Sequence, residues 1–292
     1  MFPADFAYAR ADSLASALEL LAAAQAEGDD AKLLAGGQSL LPMMKLRLAA
    51  PQTLIDIGGI RELDGVTSSG TKTVIGALTT YRALARDPLI TAAFPAMTDA
   101  LAVLADQQVR ARGTIGGCVA HGDPASDLPA VLLALDAAVT IAGPEGTRET
   151  PLDDFLTGIY STDLAPDEIV TAITVPAAPP PGQAYEKFAQ PASHLPLAGA
   201  CAVVEIKDKV ITSAKVAVTG VAGRVFRAVH TERAVASAQV TPALLGSAAA
   251  QAGNGVRPLS DQHASGPYRL HLAEVMTLRA LERAVERAEG SI

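Results

Sequence analysis

The segment Pro176-Ala177-Ala178-Pro179-Pro180-Pro181-Gly182 constrains the fold of this chain more than any other stretch. Each proline fixes φ and removes a backbone donor, so neither a helix nor a central strand runs through it. Such a segment is a stiff, extended connector. A chain of 292 residues exceeds the commonest single-domain size. The segment therefore predicts two units, 1–176 and 183–288.

The pattern differs on the two sides. Upstream, short apolar runs alternate with helical periodicity. Residues 13–27 place Leu14, Ala17, Leu18 and Leu21 on one helical face, with Asp12 or Ser13 able to cap the start and Gly28 closing the end. Strands are predicted at Lys32 to Leu34, Thr53 to Ile57, Thr73 to Ala77, Ala138 to Ala142 and Ile169 to Val175. Thr79 or Thr80 can cap a helix, Leu89 to Ala105 is helical with a break at Pro95, and 127–136 reads as a buried helix opened by Asp127. Downstream, Gly199 to Ile206 and Val210 to Thr219 predict an antiparallel hairpin across Lys207-Asp208-Lys209. His271 to Ala288 has the spacing of an amphipathic helix.

Two short motifs carry the chemistry: Ala35-Gly36-Gly37-Gln38-Ser39 and Thr114-Ile115-Gly116-Gly117-Cys118. Glycine leaves the backbone free to bend and its N–H unshielded, so consecutive amides can converge on a phosphate oxygen. A pair of such loops can grip a pyrophosphate without much positive charge, which suits a chain of net charge −8. Either motif alone reads as well as an ordinary glycine turn. Neither matches the G-x-G-x-x-G fingerprint or the phosphate loop ending in Lys-Ser/Thr, which lowers the rank of dinucleotide dehydrogenases and nucleotide hydrolases.

Composition narrows the field further. The acidic balance and scattered basic residues argue against nucleic acid as a partner. Cys118 and Cys201 are too few for a disulfide framework, an iron–sulfur cluster or structural zinc, so both are expected to be free thiols in a reducing cytoplasm. His121, His194, His230, His263 and His271 lack metal-binding spacing, and no nucleophile triad or elbow is evident. The first residues do not resemble a secretion signal, and no run approaches the ~20 apolar residues that span a bilayer. A soluble, cytoplasmic protein is the expectation.

Four stretches together resemble a known family: KLLAGGQSLLPMMKLR (32–47), VRARGTIGGCVAHGDPASDLPA (109–130), YEKFAQPASHLPLAG (185–199) and SDQHASGPYRLHLAEVMTLRAL (260–281). In that order they are similar to the FAD-binding medium subunits of molybdenum hydroxylases, of the aerobic carbon monoxide dehydrogenase and xanthine dehydrogenase type. The resemblance implies an α+β chain with a bipartite FAD-binding domain of the vanillyl-alcohol oxidase and carbon monoxide dehydrogenase type, its subdomains about 1–57 and 58–176. A C-terminal antiparallel sheet-and-helix domain would follow. It implies FAD contacts from Leu33, Leu34, Ala35, Gly36, Gly37, Gln38, Ser39 and Leu40 on one side of the pyrophosphate. Thr114, Ile115, Gly116, Gly117 and Cys118 would complete the clasp, with Asp127 near the adenosine end and Leu104, Val170, Lys187 and Leu195 lining the cofactor. Read as residues alone, Asp127 is equally a helix cap and Lys187 a solvated strand lysine.

The implied function is electron relay. A large subunit would hold the molybdenum cofactor and a small one two iron–sulfur clusters, in a dimer of heterotrimers. FAD on this chain would pass electrons to a quinone, oxygen or a nicotinamide, and the complex could sit at the inner face of the membrane. Two other classes stay open: a stand-alone FAD oxidase of a small alcohol or amine, for which no base can be singled out, and a flavin-free assembly protein, which intact glycine turns oppose.

Overall fold

Ser13 starts the first helix through a capping box, its hydroxyl accepting the Ser16 N–H while the Ser16 hydroxyl accepts the Ser13 N–H. The computed structural model describes residues 2–290. Strand β1 (Ala7–Arg10) leads into this helix, α1 (Leu14–Glu27), which ends at left-handed Gly28. Then come β2 (Ala31–Leu34), α2 (Leu40–Lys45) and β3 (Thr53–Asp56). The three strands form a parallel sheet in the order β1-β3-β2, and Ala17 and Leu21 of α1 pack on Ile55 and Ile57. Strand β1 escapes sequence reading because it is short and largely exposed; only its register against Thr53 to Asp56 makes it a strand.

A second sheet follows. Its first hairpin is β4 (Val66–Ser69) and β5 (Lys72–Gly76), after which Thr80 caps α3 (Tyr81–Leu84). The helical stretch then breaks at Pro95 into α4 (Pro88–Ala93) and α5 (Pro95–Val103), because Phe94 before the proline leaves the helical region. Next come α6 (Gln107–Arg112), α7 (Ile115–His121) and α8 (Asp127–Ala134), every residue of which is buried. Strands β6 (Ala138–Gly143) and β7 (Gly146–Pro151), helix α9 (Leu152–Phe155), the short β8 (Leu156–Gly158) and β9 (Ser161–Thr162), and β10 (Ile169–Pro176) complete this part. The sheet is antiparallel in the order β4-β5-β10-β6-β7.

Beyond the proline segment lie β11 (Gly182–Ala189), β12 (Pro196–Lys207), β13 (Val210–Thr219) and β14 (Phe226–Arg227), paired in that order as an antiparallel sheet. Helices α10 (Val229–Val235), α11 (Pro242–Ala249) and α12 (Gly266–Glu289) cover it. Helix α12 starts five residues before the predicted His271, because Ser265 caps it and Pro267 is tolerated in the first turn.

Strand β12 is central and explains the alanine content. Its alternate residues Ala198, Ala200, Ala202 and Val204 pack under α12, whereas Cys201 and Val203 join Leu128, Val131 and Leu132 of α8 in the core of the preceding part. A strand buried on both faces between helices takes small side chains. The sheet beyond the linker is thereby held against the N-terminal two-thirds. Among the described residues, no helix is long and apolar enough to cross a membrane.

Candidate functional site

The two glycine motifs are 75 residues apart in sequence, from Ser39 to Thr114, and the fold brings the first against the second and the residues just before it. A Cβ on Gly36 would lie 2.2 Å from the Arg112 carbonyl oxygen and 2.9 Å from the Gly113 Cα. A Cβ on Gly117 would face the Ala35 methyl at 4.0 Å. Gly37 has φ +73°, the left-handed region closed to most side chains.

The first motif leaves β2 as a loop and enters α2. The N–H groups of Gly36, Gly37, Gln38 and Ser39 find no protein acceptor among the described residues, and this stretch is partly exposed. Four adjacent free donors beside a left-handed glycine make an anion cradle.

The second motif corrects the sequence reading: Gly116 and Gly117 occupy the first turn of α7 rather than a turn between elements. Thr114 at the N-cap accepts the Gly117 N–H through its hydroxyl at 3.2 Å, which converts the pair into helix. The Ile115 and Gly116 N–H groups donate to the Thr79 and Ala77 carbonyls, anchoring the helix start to the end of β5. Gly116 is obligatory there, since a Cβ would lie 2.4 Å from that of Ala77. The contribution of this motif is thus close approach rather than a run of free amides.

From the motifs the site extends through side chains. Gly113 packs on the Tyr81 ring, where a Cβ would sit 2.5 Å from Cε2. Burial pushes the Cys118 thiol up to about 11, with the nearby Ser126 and Tyr81 side chains opposing the shift. Cys118 is therefore a neutral thiol at pH 7. Cys201 is a free thiol buried inside β12.

Asp127 is not a helix cap. Ser126 takes the N-cap position, and the Asp127 carboxylate turns inward, where Oδ1 accepts from the Tyr185 hydroxyl at 2.7 Å and pairs with Lys187 Nζ at 2.9 Å. Nor is Lys187 solvated: both side chains are 4% exposed. Burial raises the Asp127 carboxyl above the ordinary carboxylate range, with the charge and hydrogen bond of Lys187 and the Tyr185 hydrogen bond opposing it. Lys187 also donates to the His194 carbonyl at 2.8 Å and so ties the loop between β11 and β12 to this pair. Tyr185 was missed in the sequence. The Tyr-x-Lys spacing, which puts 185 and 187 on one face of a strand, was the available signal.

The remaining positions divide. Leu33 and Leu34 end β2, Leu40 opens α2, and Ile115 is fully buried. Val170 is buried in β10, against which α7 packs. Leu104 is buried at the end of α5, with its carbonyl held by Arg110 at 2.6 Å. Leu195 lies 43% exposed on the tethered loop. Among the described residues no cluster of His, Cys, Asp and Glu can hold a metal ion.

Residues 4–178 match a family model described as the FAD-binding domain in molybdopterin dehydrogenase, and residues 183–284 match the carbon monoxide dehydrogenase flavoprotein C-terminal domain. The chain is 38% identical to the carbon monoxide dehydrogenase medium chain of Afipia carboxidovorans, over 99% of this chain and 100% of that one. It is 36% identical to the glyceraldehyde dehydrogenase medium chain of Sulfolobus acidocaldarius, over 97% and 99%. Among solved structures, carbon monoxide dehydrogenase from Hydrogenophaga pseudoflava superposes with a TM-score of 0.94 at 40% identity, covering 98% of this chain and 99% of that chain.

Proposed function

The chain belongs to the family of FAD-binding medium subunits of molybdenum hydroxylases, and we propose on that footing that it holds one FAD and relays electrons within a larger complex. The observation that carries this reading is the meeting of the two glycine motifs, which leaves four free amides beside a close backbone approach. That cradle fits a pyrophosphate: a Cβ at Gly36 or Gly116 would collide with backbone, and neutral donors suit an acidic chain. When bound, FAD supplies a redox store able to accept electrons from iron–sulfur clusters and release them to an acceptor.

Leu33 to Leu40 would hold the pyrophosphate from one side, with Thr114 to Cys118 closing the other. Leu104, Asp127, Val170, Lys187 and Leu195 would line the rest. Asp127 and Lys187 neutralise each other inside the protein, so a cofactor beside them meets a fixed dipole rather than a mobile charge. The same reading takes 1–176 as the FAD-binding domain, in two parts, and 183–288 as the C-terminal domain.

The partners would be a small subunit with two iron–sulfur clusters and a large subunit with the molybdenum cofactor, assembled as a dimer of heterotrimers. A quinone, oxygen or a nicotinamide would take the electrons, and contact with a membrane would come through the complex. Medium chains of a carbon monoxide dehydrogenase and a glyceraldehyde dehydrogenase are similarly close to this chain, which supports placing substrate selection elsewhere.

The test is anaerobic stopped-flow spectroscopy of the isolated, FAD-loaded chain. Carbon monoxide, aldehydes, heterocycles and small alcohols should leave the flavin band unchanged, whereas a chemical reductant should bleach it. Adding the iron–sulfur and molybdenum subunits should restore bleaching by the physiological substrate. Turnover-rate bleaching of the lone chain by any of these compounds would sink the relay reading in favour of an autonomous oxidase.

A further inference from the structure

An open cavity of about 320 Å³ lies between α3 and α6 and is lined by Arg82, Ala85, Arg86, Gln107 and Arg110. Three arginines line it in a chain whose net charge is −8, Arg82 and Arg86 exposed and Arg110 half-buried. Among the described residues none of the three forms an ion pair. The acids adjacent in sequence are engaged elsewhere: Asp87 Oδ1 accepts the Leu89 and Ile90 N–H groups, and Asp106 Oδ1 accepts that of Val109. Each caps a helix instead of neutralising an arginine.

Arg110 is already partly fixed. One of its terminal nitrogens donates to the Leu104 and Ala105 carbonyls at 2.6 and 3.0 Å, holding a turn in which Ala105 adopts φ +43°. Its other nitrogens have no protein acceptor among the described residues. A pre-oriented guanidinium loses little freedom on binding, and its fork matches two oxygens of one oxyanion. Arg82 on α3 and Arg86 just beyond its end line the same cavity and carry two further forks, and Gln107 carries an amide donor.

We propose that this cavity is a binding site for a phosphate-bearing anion, recognised by Arg82, Arg86 and Arg110 with Gln107. The volume admits a phosphate group with a small organic substituent, not a whole dinucleotide. Because Arg110 also holds the Leu104 carbonyl, occupancy stiffens the turn that presents Leu104. Anion binding itself does not depend on the flavin reading.

Isothermal titration of the full-length chain with inorganic phosphate, at ionic strength held constant with chloride, tests the site. A parallel titration uses ribose 5-phosphate. The wild type should bind phosphate and melt at higher temperature in its presence. The double variant Arg82→Gln/Arg86→Gln, altered only at exposed side chains without backbone bonds, should melt as the wild type in chloride and bind at least about tenfold more weakly. Tighter binding of ribose 5-phosphate marks an organic phosphate as the ligand, and equal affinity marks the free oxyanion; either supports the site. Absence of binding to the wild type, or equal affinity in the variant, overturns it.

Discussion

The glycines of the site look interchangeable in sequence and are not. At Gly36 and Gly116 an added Cβ would meet backbone or a rigid Cβ at 2.2 and 2.4 Å, so relief requires moving one element off another. At Gly37 the nearest atom is the flexible end of Leu41 at 2.9 Å, and the obstacle is φ +73°. Gly37→Ala should therefore keep the fold, losing about 1–2 kcal/mol in urea denaturation, while its FAD content after desalting falls sharply. Gly116→Val should melt well below wild type, because its clash lies in the packing of α7 on the end of β5. Full flavin retention by Gly37→Ala would remove the first motif from the cofactor site.

Among the elements, the hairpin of β12 and β13 is the clearest case of a local signal read correctly with the wrong residues in its turn. The alternating strands pair as expected, Glu205 opposite Ser213, yet Asp208 and Lys209 both adopt left-handed φ, +52° and +62°. A two-residue turn of that hand matches strand twist and favours Asn-Gly or Asp-Gly. Lys209 thus sits in a conformation that glycine adopts without strain. Lys209→Gly should stabilise the chain by about 1 kcal/mol in chemical denaturation, with no change in flavin content. A loss of stability would show that the lysine side chain contributes more than the strain it carries.

At the scale of the whole molecule, the proline segment does not by itself hold its two sides in place. Asp99 on α5 does much of this: its carboxylate accepts from Arg283 and Arg287 of α12 at 2.7–3.0 Å, and from the Tyr185 N–H at 3.2 Å. The Asp99 side chain is 10% exposed, whereas Arg283 and Arg287 are 41% and 28% exposed, so solvent screens part of the attraction. Asp99→Ala should cost about 1–3 kcal/mol and leave two arginines facing a small void. Limited proteolysis should then cut within 177–181 faster than in wild type. Unchanged cleavage would show that the apolar contact of β12 with α8 suffices to join the two parts.

How much of this was legible beforehand follows from the range of each interaction. Helix α1, the break at Pro95 and the β12–β13 hairpin were readable because caps, prolines and alternation act within a few residues. The glycine motifs were also visible, though not that they touch, since contact between Gly36 and Arg112 depends on how two sheets are placed. The same limit hid the buried partners of Asp127. A carboxylate opening a helix reads as a cap, and only the packing of β12 and β13 against α8, with β11 paired to β12, brings Tyr185 and Lys187 to it. Strand β1 and the arginine cavity belong to this second class, one defined by a register and the other by two helices facing each other. Sequence alone determined the local conformations and the residue types able to bind a pyrophosphate. Tertiary structure decided which of them meet, because burial and close backbone approach are properties of pairs distant along the chain.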